Sequence, residues 1–266
     1  MAKLLGADEP APFSLYNPVG KSPFFLSGDH AGNRVPALLS NLGLPPEELE
    51  RHIAIDIGIE ALGKRLADKL DAPFFFQPYS RLVIDCNRPP DQADAVPAVS
   101  DGTHIPGNAD LDADARATRV EEIFDVYHAE FSTLFEAREK AGKRTVLVAL
   151  HSFTPFHGDF PANRPWHIGV LWNRDGRLAA PLIENLSKDA ELVVGDNQPY
   201  RVSDELDYAI PVHGEARNTL SVELEVRQDL ISDDAGVDAW ATRLARVLPI
   251  ALSNLQGADQ QSMVSS

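Results

Sequence analysis

Cysteine is almost missing: Cys86 is the single one in 266 residues. No internal disulfide can form, and a reducing cytoplasm is the expected setting. Basic side chains are also scarce. Lysine and arginine total 24 against 40 aspartates and glutamates, a formal net charge of -16, with an isoelectric point near 4.8. Such a field repels nucleic acid and anionic membranes at long range, so neither is an expected partner. It leaves room for a small anionic ligand, because arginines clustered in a cleft reverse the field within a Debye length of about 8 Å. Long apolar runs are lacking as well. Nothing approaches the roughly 20 residues needed to span a bilayer, and MAKLLGADEPAPF has too short an apolar core for a signal peptide. No CxxC and no HExxH occurs, so any metal ligands must be sought by another route.

What is present suits one large domain over 1–266. Hydrophobic side chains make up 44% and charged ones 24%, enough for a sizeable core and unlike a disordered chain. Residues 1–21, rich in proline and small side chains, are expected to wrap the surface as an N-terminal extension, and 256–266 to form a flexible tail. Between them the pattern alternates. PFFLS, APFFFQPYS, RLVIDCN, TVLVALHS, HIGVLWN, ELVVGDN and LSVELEVRQDL read as strands. PPEELERHIAIDIGIEALGKRLADKL, residues 113–140, LAAPLIENLSKD and VDAWATRLARVLPIAL read as helices. TVLVALHS is nearly all apolar, as expected of a strand covered on both faces. The alternation predicts a three-layer α/β/α fold with a mixed, largely parallel central sheet. Residues 89–111, rich in proline, glycine and aspartate, are too long for an ordinary connection and are expected to form an active-site loop.

Ligands gather outside the carboxyl ends of strands in such sheets. PFFLSGDH ends in His30, TVLVALHS reaches His151, and SVELEVRQD carries Glu223 and Glu225. Two imidazoles and a carboxylate make the three protein ligands of a catalytic zinc. Asp56 is the candidate third ligand, since Ile53, Ile55, Ile57 and Ile59 surround it and an acid there is costly to bury without a partner. A structural carboxylate met by an arginine or a backbone cap is the alternative. His52, one helical turn before Asp56, offers another ligand pair. Glu223 and Glu225 point to one face of their strand, where mutual repulsion raises at least one pKa and suits a general base. A solvent-facing polar stripe is the bland equivalent. Asn87-Arg88, with Arg81 nearby, is the kind of set that holds a carboxylate by paired hydrogen bonds. Asp85 is expected to orient one of these arginines. His167 and His213 are candidates to polarise a carbonyl or stabilise an oxyanion, although each also reads as an ordinary loop histidine. His104, His128 and His157 carry no assigned role.

Taken together, GDHAGNRVP, HIAIDIG, YSRLVIDCNRPP, LHSFTP, RPWHIGVLWNRD, GDNQPY and PVHGEARNTLSVELEVRQDLI resemble the N-formylglutamate amidohydrolase family. The resemblance implies a hydrolase with one Zn2+ per chain and a fold similar to the zinc carboxypeptidases, which cleaves N-formyl-L-glutamate to formate and L-glutamate in histidine breakdown. It implies further that His30 and His151 are metal ligands. Asn33 stands where the related HxxE pattern has its glutamate, and Asp56 is taken as the replacement. Asn87, Arg88 and Glu223 are then the substrate-binding candidates. Glu225, Arg81, His167 and His213 are the catalytic candidates, with Glu225 the general base. The implied partner is a small anionic N-acyl amino acid. An N-acyl amino acid deacylase, a metallo-carboxypeptidase and a non-catalytic binder of an acidic metabolite are the rival readings, and oligomeric state is not legible in the sequence.

Overall fold

Two eight-residue strands of almost wholly buried side chains, Val146–Phe153 and Leu220–Arg227, set the frame of the molecule. The computed structural model describes the backbone of residues 3–156 and 164–264, and side chains as far as Leu255. Numbered along the chain, the strands are β1 (Ser14–Tyr16), β2 (Phe24–Gly28), β3 (Phe74–Phe76), β4 (Val99–Ser100), β5 (Thr103–His104), β6 (Val146–Phe153), β7 (Ile168–Leu171), β8 (Val194–Asp196) and β9 (Leu220–Arg227). Seven of them form one sheet in the order β1-β3-β2-β6-β9-β7-β8. Strands β3, β2, β6 and β9 run parallel, whereas β1 and the β7–β8 pair run against them. The mixed, largely parallel sheet predicted from the alternating pattern is therefore present.

Period-two alternation along β6 divides the core into two layers. Val146, Val148 and Leu150 face α1 (Ile59–Leu70), α4 (Ala179–Leu186) and α5 (Asp234–Val264). Leu147 and Ala149 face the other way. There α3 (Asp125–Lys140) lays Tyr127, Phe131 and Phe135 against Phe25 and Phe75, with ring centroids 4.7 to 5.5 Å apart. α2 (Ala113–Arg119) continues into α3 through a π-helical turn, Val120–Phe124. The same alternation puts His151, Glu223 and Glu225 on the α3 face, at the carboxyl ends of the parallel strands.

Several expected elements take another form. The segment before Lys21 does more than wrap the surface: β1 pairs with β3, Ser14 opposite Phe76. The helix expected over 45–70 is in fact a 3-10 turn (Pro46–Glu50), a run of turns, and then α1. Asp56 N donates to His30 O at 2.9 Å, which draws the Ile-rich stretch off a helical path. Gly58, at φ +85°, then turns the chain into α1, where a Cβ would lie 2.3 Å from the Ile231 carbonyl. RLVIDCN is a chain of turns and not a strand. Leu82, Val83 and Ile84 are apolar because they are buried, and the hydroxyl of Ser80 and carboxylate of Asp85 accept the N–H groups of Leu82 and Asn87 in place of ladder partners. Helical backbone runs on to Val264, through most of the stretch expected as a tail.

Within 89–111, β4 and β5 form a small hairpin closed by Asp101 and Gly102, both at positive φ. Its base is bolted down. Arg119, 1% exposed, donates to Val83 O, Asn108 Oδ1 and Gly107 O at 2.7 to 3.0 Å.

Candidate active site

Three donor atoms from distant parts of the chain converge on the α3 face. His151 Nδ1 lies 3.0 Å from Asp56 Oδ2 and 3.2 Å from His30 Nδ1, and His30 Nδ1 lies 3.4 Å from Asp56 Oδ2. All three residues are buried. Ligands bonded at about 2.0–2.1 Å to a tetrahedral metal stand about 3.3 Å from one another, and this triangle has that size. Two imidazoles and one carboxylate also match the donor set of a catalytic zinc.

Local structure explains each position. His30 follows β2, and the chain then presses so close to the 77–79 segment that a Cβ on Gly32 would sit 2.1 Å from Pro78 O. That contact requires glycine. Asp56 is fixed by its backbone bond to His30 and by Ser152 N, which donates to Oδ2 at 3.2 Å. Behind the donors, His30 Nε2 meets Asp85 Oδ1 at 2.7 Å. Asp85 Oδ2 accepts from Arg81 Nε and Nη2 at 3.1 and 2.7 Å, and Arg81 Nη1 reaches Asp56 Oδ1 at 3.3 Å. A carboxylate behind a ligating histidine fixes its tautomer and raises its basicity.

The electrostatics have one sense. Burial pushes the Asp56 carboxyl up, but the His30 charge and hydrogen bonds from both imidazoles outweigh it and hold the group far below the usual carboxylate range. Burial likewise opposes ionisation of Asp85, and Arg81 and His30 override it. For His151, burial presses the pKa down while Glu223 and Asp56 carry it well above the ordinary value. The cluster is built to hold positive charge. Its margins contain buried polar atoms with no hydrogen-bond partner among the described residues, namely His151 Nε2, Asp29 Oδ2, Glu223 Oε2 and Glu225 Oε2.

Glu225 stands directly across the sheet from His151, in the β6–β9 register. Burial raises the pKa of Glu225 and of Glu223, against the pull of His151. A cavity of about 540 Å³ opens over the cluster, with Glu225, Arg81, Arg88, Tyr200 and Arg201 on its walls and Pro97, Val99 and Asp101 of the 89–111 segment along one side.

The other predicted residues divide. Asn87 lines the cavity, and its Oδ1 accepts from Tyr208 N and Ala209 N, which turns the carboxamide nitrogen away from that loop. Arg88 also lines it, paired with Asp94 and Asp207 and donating to Leu206 O. Glu223 Oε2 is 3.8 Å from His151 Nε2, beside an imidazole and poorly placed to meet an anion. His167 and His213 do not line the cavity. His167 Nδ1 accepts from Val193 N at 2.9 Å, immediately before the first residues of β7 and β8. His213, 1% exposed, belongs to a π-helical turn that turns it into the core, 2.9 Å from His128 Nδ1 and stacked on Phe131. His52 reaches the cavity but not Asp56, because the segment between them is not helical; its Nε2 lies 3.3 Å from Asp101. Asn33 donates to Leu49 O, outside the donor cluster. His157 lies outside the described residues.

Asp29, Tyr127, Tyr200 and Arg201 escaped the sequence reading. Tyr127 Oη donates to Asp29 Oδ1 at 2.6 Å, and Asp29 Oδ2 lies 3.8 Å from His151 Nε2. The alternation in FFLSGD, which puts Phe25, Ser27 and Asp29 on one face, was the available signal.

Residues 22–232 match the family model described as N-formylglutamate amidohydrolase. A solved gene product of Agrobacterium tumefaciens is 33% identical, covering 95% of this chain and 99% of its own, with a TM-score of 0.91. The N-formylglutamate amidohydrolase of Ralstonia eutropha shares the fold at 21% identity over 93% of this chain and 100% of its own, with a TM-score of 0.69. No match is found among curated proteins. The chain belongs to the N-formylglutamate amidohydrolase family, and it is a hydrolase of the amide-cleaving kind.

Proposed function

We propose that this member of the family hydrolyses N-formyl-L-glutamate to formate and L-glutamate, as a step in histidine breakdown, with one Zn2+ held by His30, Asp56 and His151. The observation that carries the reading is the convergence of those three donors beside Glu225. When bound, the cation supplies Lewis acidity toward water and the formyl oxygen.

The chain's own residues do the rest. Glu225, with a buried and unpartnered Oε2, takes a proton from the attacking water as oxygen adds to the formyl carbon. It returns that proton to the amide nitrogen as the carbon–nitrogen bond breaks, so formate and the amine of glutamate leave. Arg81, fixed by Asp85 and Asp56, presents positive charge to the developing oxyanion. The Asn87 carboxamide nitrogen and Arg88 hold the carboxylate next to the scissile amide. Glu223 acts on the His151 imidazole.

Elemental analysis and a formate-release assay on one preparation test this reading. About one equivalent of zinc per chain, activity lost on chelation and regained with zinc, and a preference for N-formylglutamate over N-acetylglutamate are expected. Metal-free protein with full activity refutes the metal assignment, and failure to release formate refutes the substrate.

A further inference from the structure

Three arginines line the cavity, Arg81, Arg88 and Arg201, and their partners differ. Arg81 is paired with Asp85 and Asp56. Arg88 is shared among Asp94, Asp207 and the Leu206 carbonyl. Arg201 makes no hydrogen bond, ion pair or ring contact with any described residue. Of the three cavity arginines, Arg201 is thus the one with no carboxylate partner among the described residues.

Its mounting is firm although its side chain is exposed. On one side, Tyr200 is anchored by Arg164, whose Nη1 donates to the phenol oxygen at 2.6 Å. On the other, Val202 is 1% exposed within the core. Arg201 is thus an exposed residue of the cavity wall, while the donor residues His30, Asp56 and His151 are buried.

We propose that Arg201 reads the distal, side-chain carboxylate of the substrate and sets the selectivity for an acidic N-acyl amino acid over its neutral amide. This rests on the function proposed above. A substrate whose formyl group lies at the buried donors carries its side-chain carboxyl carbon five bonds away, about 6 Å when extended, and so directs it outward. Arg201 offers that carboxylate a planar fork of donors for a paired, charge-assisted contact.

Formate release from N-formylglutamate and N-formylglutamine, which differ only in the distal group, provides the test. Arg201→Gln is expected to lower kcat/KM for N-formylglutamate about 10–100-fold, chiefly by raising KM, while N-formylglutamine loses much less. The ratio between the two substrates then shrinks at least tenfold, and Arg201→Lys recovers part of it. Retained zinc shows that the variants are folded. Equal loss on both substrates, or no loss, overturns the role of Arg201 and leaves the proposed function standing. Wild-type protein that releases formate from neither substrate overturns both.

Discussion

The Asp85 carboxylate is held at both oxygens, by His30 Nε2 at 2.7 Å and by Arg81 Nη2 at 2.7 Å. His30 therefore keeps its proton on Nε2 and turns Nδ1 to the cluster. Asp85→Asn breaks that choice of tautomer and is expected to lower zinc affinity about 10–100-fold. Competition with a chromophoric chelator measures it, and wild-type affinity in the variant would remove Asp85 from this role.

Glu225→Gln keeps the shape of the side chain and removes its capacity to accept a proton. Zinc content is expected to be retained and kcat to fall about 10²–10⁴-fold. Turnover near the wild-type value would move the base to Glu223.

The His128–His213 pair predicts acid sensitivity apart from catalysis. Burial lowers the pKa of His128 to about 3 and of His213 to about 2, from an ordinary 6.5. Both stay neutral in the folded chain. Below pH 6.5 the unfolded chain binds protons that the folded one does not, so stability falls with falling pH until the folded values are reached. Each histidine contributes at most about 1.4 kcal/mol per pH unit in that window. Denaturant midpoints between pH 7 and pH 4 should fall more steeply for the wild type than for His213→Phe. Parallel slopes would contradict the assignment.

Arg119→Met removes the donor from three acceptors, Val83 O and Asn108 Oδ1, which are buried, and Gly107 O, which is partly so. The expected cost is about 1–3 kcal/mol, with faster amide exchange at the base of the 89–111 segment, Ile105 and Ala109 included. Unchanged exchange there would show that the arginine does not anchor the segment.

Much of this is legible in the amino-acid sequence. β6 and β9 announce themselves by apolar content and alternation, and His30 and His151 by interrupting such runs at strand ends. Asp56 was legible because an acid among four isoleucines demands a partner. Other features were not. RLVIDCN imitates a strand, because a buried turn needs the same apolar side chains and periodicity cannot separate the two. The spacing of His52 and Asp56 predicts a shared helical face, which the His30–Asp56 backbone bond abolishes. His213 reads as a loop residue because nothing local says that a π-helical turn will bury it. Arg201 was invisible for a deeper reason: whether a guanidinium is available depends on which carboxylates the fold brings to it, and that is a property of tertiary contacts alone.

The strand that carries Glu225 is the last of the sheet to be synthesised, yet it occupies an interior slot between β6 and β7. Until Arg227 has left the ribosome, the two halves of the sheet have no shared member, and each must wait with an open edge that other chains can pair with. A nascent chain is thus incapable of turnover and most prone to self-association over the same interval, and both conditions end when one segment slides home.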